Sequence, residues 1–290
     1  MPECEACGVT LYYEDIGDRS SNNTIAFLNG VMASTSSWAY IYPVFADMGF
    51  RVILHDFKGQ LKSEKPEGPY TFVEHARETH SLLEYLGVNS AHLVGTSYGG
   101  EVAMKYAMLF PDEVETISIV ASVSELDETL EEFIIEWKAL CDTNDGISFF
   151  NGMAPSIYSP GFMEREKDFL NDRAMALAKV PVDYYKGQKY LYDTFLNDVF
   201  MTNELSSINC PSLILCGEDD ILKRPKFSKI IADHIPGSEY LLIPDCGHVA
   251  ILEKPVEICS AVLGFILKNI HWGKISKEKD KLGSKSDLAK

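Results

Sequence analysis

The sequence has no apolar run long enough to cross a membrane, and it has few positive charges. Its 290 residues include 26 Lys and Arg against 43 Asp and Glu, which gives a formal charge of −17. Such a charge repels nucleic acid and anionic lipid, and it disfavours polyanionic substrates. The composition therefore predicts a globular protein with no nucleic-acid partner and no membrane span.

The N-terminus lacks the basic and then apolar stretches of a secretory signal. The seven cysteines are odd in number and scattered, which is typical of free thiols in a reducing compartment. Cys4 and Cys7 form a Cys-x-x-Cys pair without a second pair to complete a four-ligand zinc site. We therefore expect a cytoplasmic protein without a metal, with these two thiols in a frayed N-terminus.

One stretch combines a short apolar strand, a sharp turn and a helix. Residues 91–94 lead into Gly95-Thr96-Ser97-Tyr98-Gly99, and a helix-prone segment follows at 101–108. Gly-x-Ser-x-Gly between a strand and a helix is the nucleophile-elbow pattern. Its glycines leave room for a serine at strained backbone angles. Ser97 is therefore the predicted nucleophile.

A serine hydroxyl is a weak nucleophile, so it needs a general base and a carboxylate that orients the base. The apolar segment 211–217 is followed by three acids, at 218–220, and the segment 239–243 is followed by Gly247-His248. In this chain order, His248 is the predicted base and one of the three acids orients it.

These patterns resemble the α/β-hydrolase superfamily of single-domain serine hydrolases with a helical lid, over roughly residues 8–270. Residues 27–31 stand where the family has its oxyanion loop, and residues 55–63 resemble its D-x-R-G-x-G-x-S loop. Residues 247–255 resemble its G-H-x(4)-E-x-P ending. The resemblance implies an α/β fold, with a doubly wound, mostly parallel sheet and a helical lid insertion.

The resemblance also selects among the acids. The family places its acid three residues beyond the glycine that ends the strand, here Gly217, which selects Asp220. Asp219 is then expected to be solvated or structural. Asp127 is an alternative, because some members carry the acid after the strand that here ends at Ala121.

The same resemblance places the oxyanion hole at the backbone N–H groups of Tyr98 and Val31. Asn29 and Gly30 are expected to support this loop, although Asn29 stands where the family usually has His. No metal constellation or phosphate-binding loop appears in the sequence. We therefore expect no cofactor.

The expected organisation is a core at 1–121 and 206–270, a helical lid at 122–205 and a disordered basic tail at 271–290. The lid segment contains no run typical of a buried strand and is rich in Phe, Tyr, Met and Ile. Most of its aromatic residues are expected to pack the lid onto the core, and a minority to face the substrate. Apolar substrates should then be preferred, longer acyl chains should react faster up to the pocket's limit, and anionic substrates should react poorly.

The predicted function is hydrolysis of carboxylic esters, thioesters or lactones through a Ser-His-Asp triad and an acyl-enzyme. Ser97 argues against related dehalogenases and epoxide hydrolases, whose nucleophile is Asp, and Tyr98 argues against proline iminopeptidases, which usually have Trp there. An acyltransferase stays open, because residues 29–38 resemble a loop of the rhamnolipid-precursor synthase. A weakly catalytic, ligand-sensing receptor also stays open. The expected partner is a small-molecule ester or lactone, and the expected state is a monomer or homodimer.

Overall fold

The computed structural model of the chain describes residues 2–283, with side chains described up to residue 270. Within this range, strands and helices alternate, and the strands form one eight-stranded sheet in the order β1-β2-β4-β3-β5-β6-β7-β8. The strands are β1 (Glu3–Ala6), β2 (Val9–Gly17), β3 (Thr24–Leu28), β4 (Arg51–His55), β5 (Ala91–Thr96), β6 (Val114–Val120), β7 (Ser212–Gly217) and β8 (Glu239–Ile243).

The sheet is antiparallel at one edge and parallel elsewhere. β2 pairs antiparallel with β1 and β4, and the pairs from β4 to β8 are parallel. β3, β4, β5 and β7 are buried along their whole length, as strands covered on both faces must be. The predicted doubly wound, mostly parallel sheet is therefore confirmed.

Helices cover both faces of the sheet. They are α1 (Tyr42–Asp47), α2 (Phe72–Tyr85), α3 (Tyr98–Leu109), α4 (Glu128–Asp142), α5 (Gly146–Ile157), α6 (Pro160–Arg165), α7 (Lys167–Leu177), α8 (Val182–Asp198), α9 (Pro225–His234), α10 (Ala250–Glu253) and α11 (Pro255–Gly283). Short 3₁₀ helices lie at Thr35–Trp38, Pro111–Glu113 and Thr202–Ser207. None of the helices in the described range is long and apolar enough to cross a membrane.

Two apolar cores lie on the sheet. One packs Phe27, Trp38 and Phe45 with residues of α11 such as Val262. The other packs α2 and α3 on the sheet and continues without a break into the helices between β6 and β7. These five helices, α4 to α8, are the insertion. The insertion therefore shares a core with the sheet.

Register brings the functional loops together. Leu28 of β3 pairs with Gly95 of β5, and Thr96 of β5 pairs with Val120 of β6. The carboxyl ends of these parallel strands therefore lie side by side at one edge of the sheet, where ligands bind in open α/β sheets. The loop that starts at Asn29 consequently lies beside Ser97.

The structure differs from the sequence-based expectation at both termini. Residues 3–6 are not frayed but pair with β2, and Cys4 is buried. Positive φ angles at Cys7 (54°) and Gly8 (83°) close this hairpin with a two-residue turn. Cys is an uncommon residue at such a position, so the sequence did not indicate the turn.

At the C-terminal end, α11 runs on through 271–283, where a disordered tail was expected. Lys and Glu in that stretch have high helix propensity. Residues 284–290 of the expected tail lie outside the described residues.

Candidate active site

Ser97 lies on the turn between β5 and α3 with φ 52° and ψ −120°. Such angles are unusual for a residue with a side chain and require support from the surrounding structure. The Ser97 N–H donates to the carbonyl of Val120 at 2.8 Å, and the hydroxyl of Ser122 donates to the Ser97 carbonyl at 2.8 Å. The end of β6 and the residues just after it therefore fix both sides of the turn.

The glycines of the elbow are required by close packing. A Cβ on Gly99 would lie 2.1 Å from the carbonyl oxygen of Leu28, and a Cβ on Gly95 would lie 2.2 Å from that of Gly99. Both distances are impossible for real side chains. Without glycine at these positions α3 could not start so close to β3 and β5.

His248 and Asp220 complete a hydrogen-bonded chain with Ser97. The imidazole Nε2 of His248 lies 3.0 Å from Ser97 Oγ, and Nδ1 lies 2.8 Å from Asp220 Oδ2. Asp220 is 1% exposed, and its Oδ1 accepts the N–H groups of Leu222 at 3.0 Å and Lys223 at 2.8 Å. This geometry can take a proton from the hydroxyl while the serine attacks a carbonyl carbon.

The other two candidate acids point elsewhere. Asp219 is exposed, and its backbone N–H donates to the carbonyl of Cys246 at 2.9 Å. Asp127 caps α4 by accepting the N–H of Leu130 at 3.1 Å, and it pairs with Arg224 and Lys226. The structure thus places Asp220 beside His248 and places neither Asp219 nor Asp127 there.

Two backbone N–H groups are available beside Ser97. Those of Val31 and Tyr98 have no acceptor among the residues the structure describes. Tyr98 is the first residue of α3, so the positive end of the helix dipole lies at the same place. Gly30 and Val31 line the same cavity as Ser97. These groups can stabilise a negative oxygen.

Asn29 supports the loop that carries Val31. Its side-chain amide donates to the carbonyl of His55 at 2.8 Å and to Gln60 Oε1 at 3.1 Å, and its Oδ1 accepts Trp38 Nε1 at 2.9 Å. Gln60 in turn donates to the Gly30 carbonyl at 2.7 Å. Asn29 therefore ties the start of this loop to β4, Trp38 and Gln60, and Gln60 extends these bonds to Gly30.

Asp56 fastens the far end of the same loop. Its Oδ1 accepts the N–H of Thr35 at 2.9 Å, and its Oδ2 accepts that of Lys62 at 3.1 Å. Burial raises the pKa of Asp56, and these N–H donors oppose the rise. The D-x-R-G-x-G-x-S-like segment is therefore a scaffold for the oxyanion loop.

Sequence reasoning missed Gln188 of α8. Its Oε1 accepts the N–H of Met32 at 2.9 Å, and Met32 has φ 57°. The insertion therefore contacts the oxyanion loop at Met32, the residue that follows Val31. No sequence signal connects two positions so far apart.

A buried ion pair joins the elbow to the loop that bears Asp220. Lys223 Nζ lies 2.8 and 3.0 Å from the carboxylate oxygens of Glu101, in the first turn of α3. Glu101 also accepts the N–H of Val123 at 2.8 Å. Burial lowers the pKa of Lys223 and raises that of Glu101, and the opposite charge of the partner counteracts both effects. The pair links the segments of the nucleophile and the acid.

Ser97 and His248 open into a cavity of about 70 Å³. The insertion contributes mostly apolar side chains to its wall: Trp137, Phe150, Met153, Ile157, Tyr158 and Arg173. Arg173 is the one formally charged side chain in this wall, taken over the described residues. A minority of the insertion's aromatic residues thus lies at the cavity, and Arg173 lies there unexpectedly.

Comparison with known proteins agrees with this architecture. Residues 23–255 match the family model described as alpha/beta hydrolase fold. A proline iminopeptidase of Lactobacillus crispatus is 26% identical over 277 residues, which cover 86% of this chain and 92% of the relative.

Two solved structures extend the comparison. MGS-M2, an alpha/beta hydrolase enzyme from a Medee basin deep-sea metagenome library, has a TM-score of 0.86 and 27% identity over 91% of this chain and 96% of its own. Est816, described as an N-acyl homoserine lactone degrading enzyme, has a TM-score of 0.77 and 30% identity over 91% of this chain and 100% of its own. With the family model spanning most of its length, the chain belongs to the alpha/beta hydrolase fold family.

Proposed function

We propose that this protein is a serine hydrolase of carboxylic esters, thioesters or lactones. The observation that carries the proposal is the chain from Ser97 Oγ through the His248 imidazole to the Asp220 carboxylate, with separations of 3.0 and 2.8 Å. A hydroxyl, a base and an orienting acid in this order are what nucleophilic acyl transfer requires.

The proposed mechanism has two stages. His248 takes the proton of Ser97 as the oxygen attacks the carbonyl, and the N–H groups of Val31 and Tyr98 hold the resulting oxyanion. His248 then gives the proton to the leaving alcohol or thiol, which departs and leaves an acyl-serine. Water, activated by the same imidazole, releases the acid.

The insertion is proposed to act as a lid. Its side chains form much of the cavity wall over Ser97, and water excluded from that space cannot weaken the electrostatic interactions at the reacting carbonyl. The bond from Met32 N–H to Gln188 supports this role, because it ties the lid to the oxyanion loop.

Esters and lactones are favoured over peptides with an N-terminal proline, in spite of the iminopeptidase relative. Such a peptide carries a positive charge on its terminal nitrogen, which needs an acidic partner when buried. Among the described residues, no Asp or Glu lines the cavity, whereas Arg173 does. The similarity to Est816, a lactone-degrading enzyme, supports including lactones.

The test is turnover in water alone. Purified protein is given methyl butyrate, S-phenyl thioacetate or γ-butyrolactone, and the released acid is titrated. Ser97→Ala is the matched control. We expect acid release that the variant loses. Product formed only after an acyl acceptor is added would indicate an acyltransferase instead. Saturable binding of one of these compounds without turnover would indicate a receptor. Release of nitroaniline from proline p-nitroanilide, with no turnover of the three compounds, would indicate an iminopeptidase.

A further inference from the structure

Arg173 is a cation in the wall of a cavity that is otherwise mostly apolar. It belongs to α7 and lines the same space as Ser97 and His248. A guanidinium stays charged at any pH a protein tolerates. The cavity therefore has a positive charge in the same wall as the proposed nucleophile.

This charge has no carboxylate partner within the described part of the chain. No carboxylate there lies within 4 Å of the Arg173 guanidinium, and its Nε is buried without a hydrogen-bond acceptor. The other arginine of the insertion, Arg165, behaves ordinarily: it is exposed and pairs with Glu166 at 3.2 Å. A partly buried donor without an acceptor is costly, so a ligand that supplies an acceptor to Nε would be stabilised there.

Neighbouring rings hold the guanidinium in place. The ring of Phe169 lies 5.8 Å from its central carbon, within reach of a cation–π interaction. The guanidinium also interacts with the Tyr158 hydroxyl: burial raises the pKa of Tyr158, and the charge of Arg173 and a hydrogen bond with it oppose the rise. The group is therefore oriented by packing before any ligand binds.

We propose that Arg173 binds a carboxylate of the substrate, so that the enzyme acts on short esters or lactones that carry a second, free carboxylate away from the scissile carbonyl. This inference rests on the proposed function and names its substrate class. The planar guanidinium matches a carboxylate through two parallel hydrogen bonds. The cavity of about 70 Å³ limits the connecting chain to a few carbon atoms.

The acidic surface does not oppose a bound monoanion. Its repulsion acts on the approach of the substrate and is screened beyond about 8 Å at physiological salt, whereas the contact with Arg173 is direct. For monocarboxylates, this proposal departs from the expectation that anionic substrates react poorly.

The test compares two esters of equal chain length, monomethyl glutarate and methyl pentanoate. For Arg173→Gln we expect kcat/KM to fall roughly 10- to 100-fold for the glutarate ester, as for other charged hydrogen bonds, and by less than about threefold for the neutral ester. Arg173→Lys should recover part of the loss, because it keeps the charge. Arg165→Gln, the matched control in the same insertion, should change neither rate.

Equal losses for both esters, or none for either, would overturn the inference. Calorimetric binding of monomethyl glutarate to Ser97→Ala and to Ser97→Ala with Arg173→Gln separates this failure from failure of the proposed function. If the wild type hydrolyses neither ester but binding still depends on Arg173, the hydrolase proposal fails and the carboxylate site stands. If neither protein binds the ester, or both bind it equally, the carboxylate site is wrong whatever the rates are.

Discussion

The carbonyl oxygen of Ile157 accepts the backbone N–H of His248 at 2.9 Å. Ile157 ends α5, so this bond joins the helical insertion to the loop that carries the histidine. Glu253 adds two more bonds to the same junction, because its carboxylate accepts the N–H groups of Gly247 at 3.1 Å and Ser159 at 3.2 Å. The position of the imidazole thus depends on the insertion.

We expect Glu253→Gln to impair catalysis through this junction. The buried carboxylate accepts N–H groups from both segments, and an amide would place a donor against one of them. Loss of such bonds costs about 1–3 kcal/mol of the free energy of unfolding, and kcat should fall at least roughly tenfold as the imidazole loses its orientation. Urea titration and ester kinetics measure both effects.

Glu257→Gln is the matched control, because Glu257 is exposed on α11. It should leave both quantities unchanged. If Glu253→Gln kept the wild-type kcat while losing stability, the junction would be structural only.

The carboxylate assignment is tested by a pair of neighbours. Asp220→Asn should lower kcat by about 10⁴-fold, because an amide holds the imidazole in the wrong tautomer. Asp219→Asn should have little effect, since that side chain is exposed. Steady-state kinetics on a neutral ester suffices, and the opposite ranking would mean that the wrong acid was chosen.

Much of this arrangement could be predicted because its signals are local. Ser97, Asp220 and His248 each follow an apolar strand within a few residues, and Gly95 and Gly99 mark the turn. Parallel strands then bring such positions to one edge of the sheet. The fold class follows from the same alternation of strands and helices.

The residues that tertiary packing alone brings to the site were not predictable. Gln188 and Arg173 lie on helices whose sequence shows apolar and polar residues but not which of them face the core. The N-terminal hairpin was missed for a different reason. Its turn uses Cys7 at positive φ, where Asn, Asp or Gly is the usual signal.

Cavity size should set the best acyl chain. A volume of about 70 Å³ has room for only a few water molecules. For linear methyl esters, we expect kcat/KM to rise about fourfold per methylene, from about 0.8 kcal/mol of burial each, and to fall once the chain exceeds the cavity.

Met153→Ala should move this optimum to longer chains, because Met153 lines the wall. Ser148→Ala, in the same helix but outside the lining residues, is the control. Rates that decline steadily from acetate onward would show that the acyl group does not enter this space.

Acid should destabilise the fold through buried histidines. Burial lowers the pKa of His92 to about 4, where its Nδ1 lies 3.0 Å from Thr116 Oγ1. In the unfolded chain the pKa is about 6.5, so the neutral ring contributes stability above that pH, and the contribution is lost progressively as the pH falls from about 6.5 to the folded pKa of about 4. The loss should reach about 2–3 kcal/mol by pH 4.5.

Urea unfolding of the wild type and His92→Gln at pH 7 and 4.5 measures this contribution. The variant should be less stable at pH 7 but lose less on acidification. His234→Gln, which removes an exposed histidine, should keep the wild-type pH dependence. An unchanged pH dependence in His92→Gln would mean that this ring does not titrate as proposed.

Covalent labelling of Ser97 tests the central claim most directly. The protein is treated with a fluorophosphonate, digested and mapped by mass spectrometry, alongside Ser97→Ala and Ser37→Ala, the latter removing another serine that lines the cavity. We expect label on Ser97 in the wild type and in Ser37→Ala, and none in Ser97→Ala, with all three proteins folded. Label on another residue with Ser97 unmodified, or no label at all, would contradict the assignment of Ser97 as nucleophile.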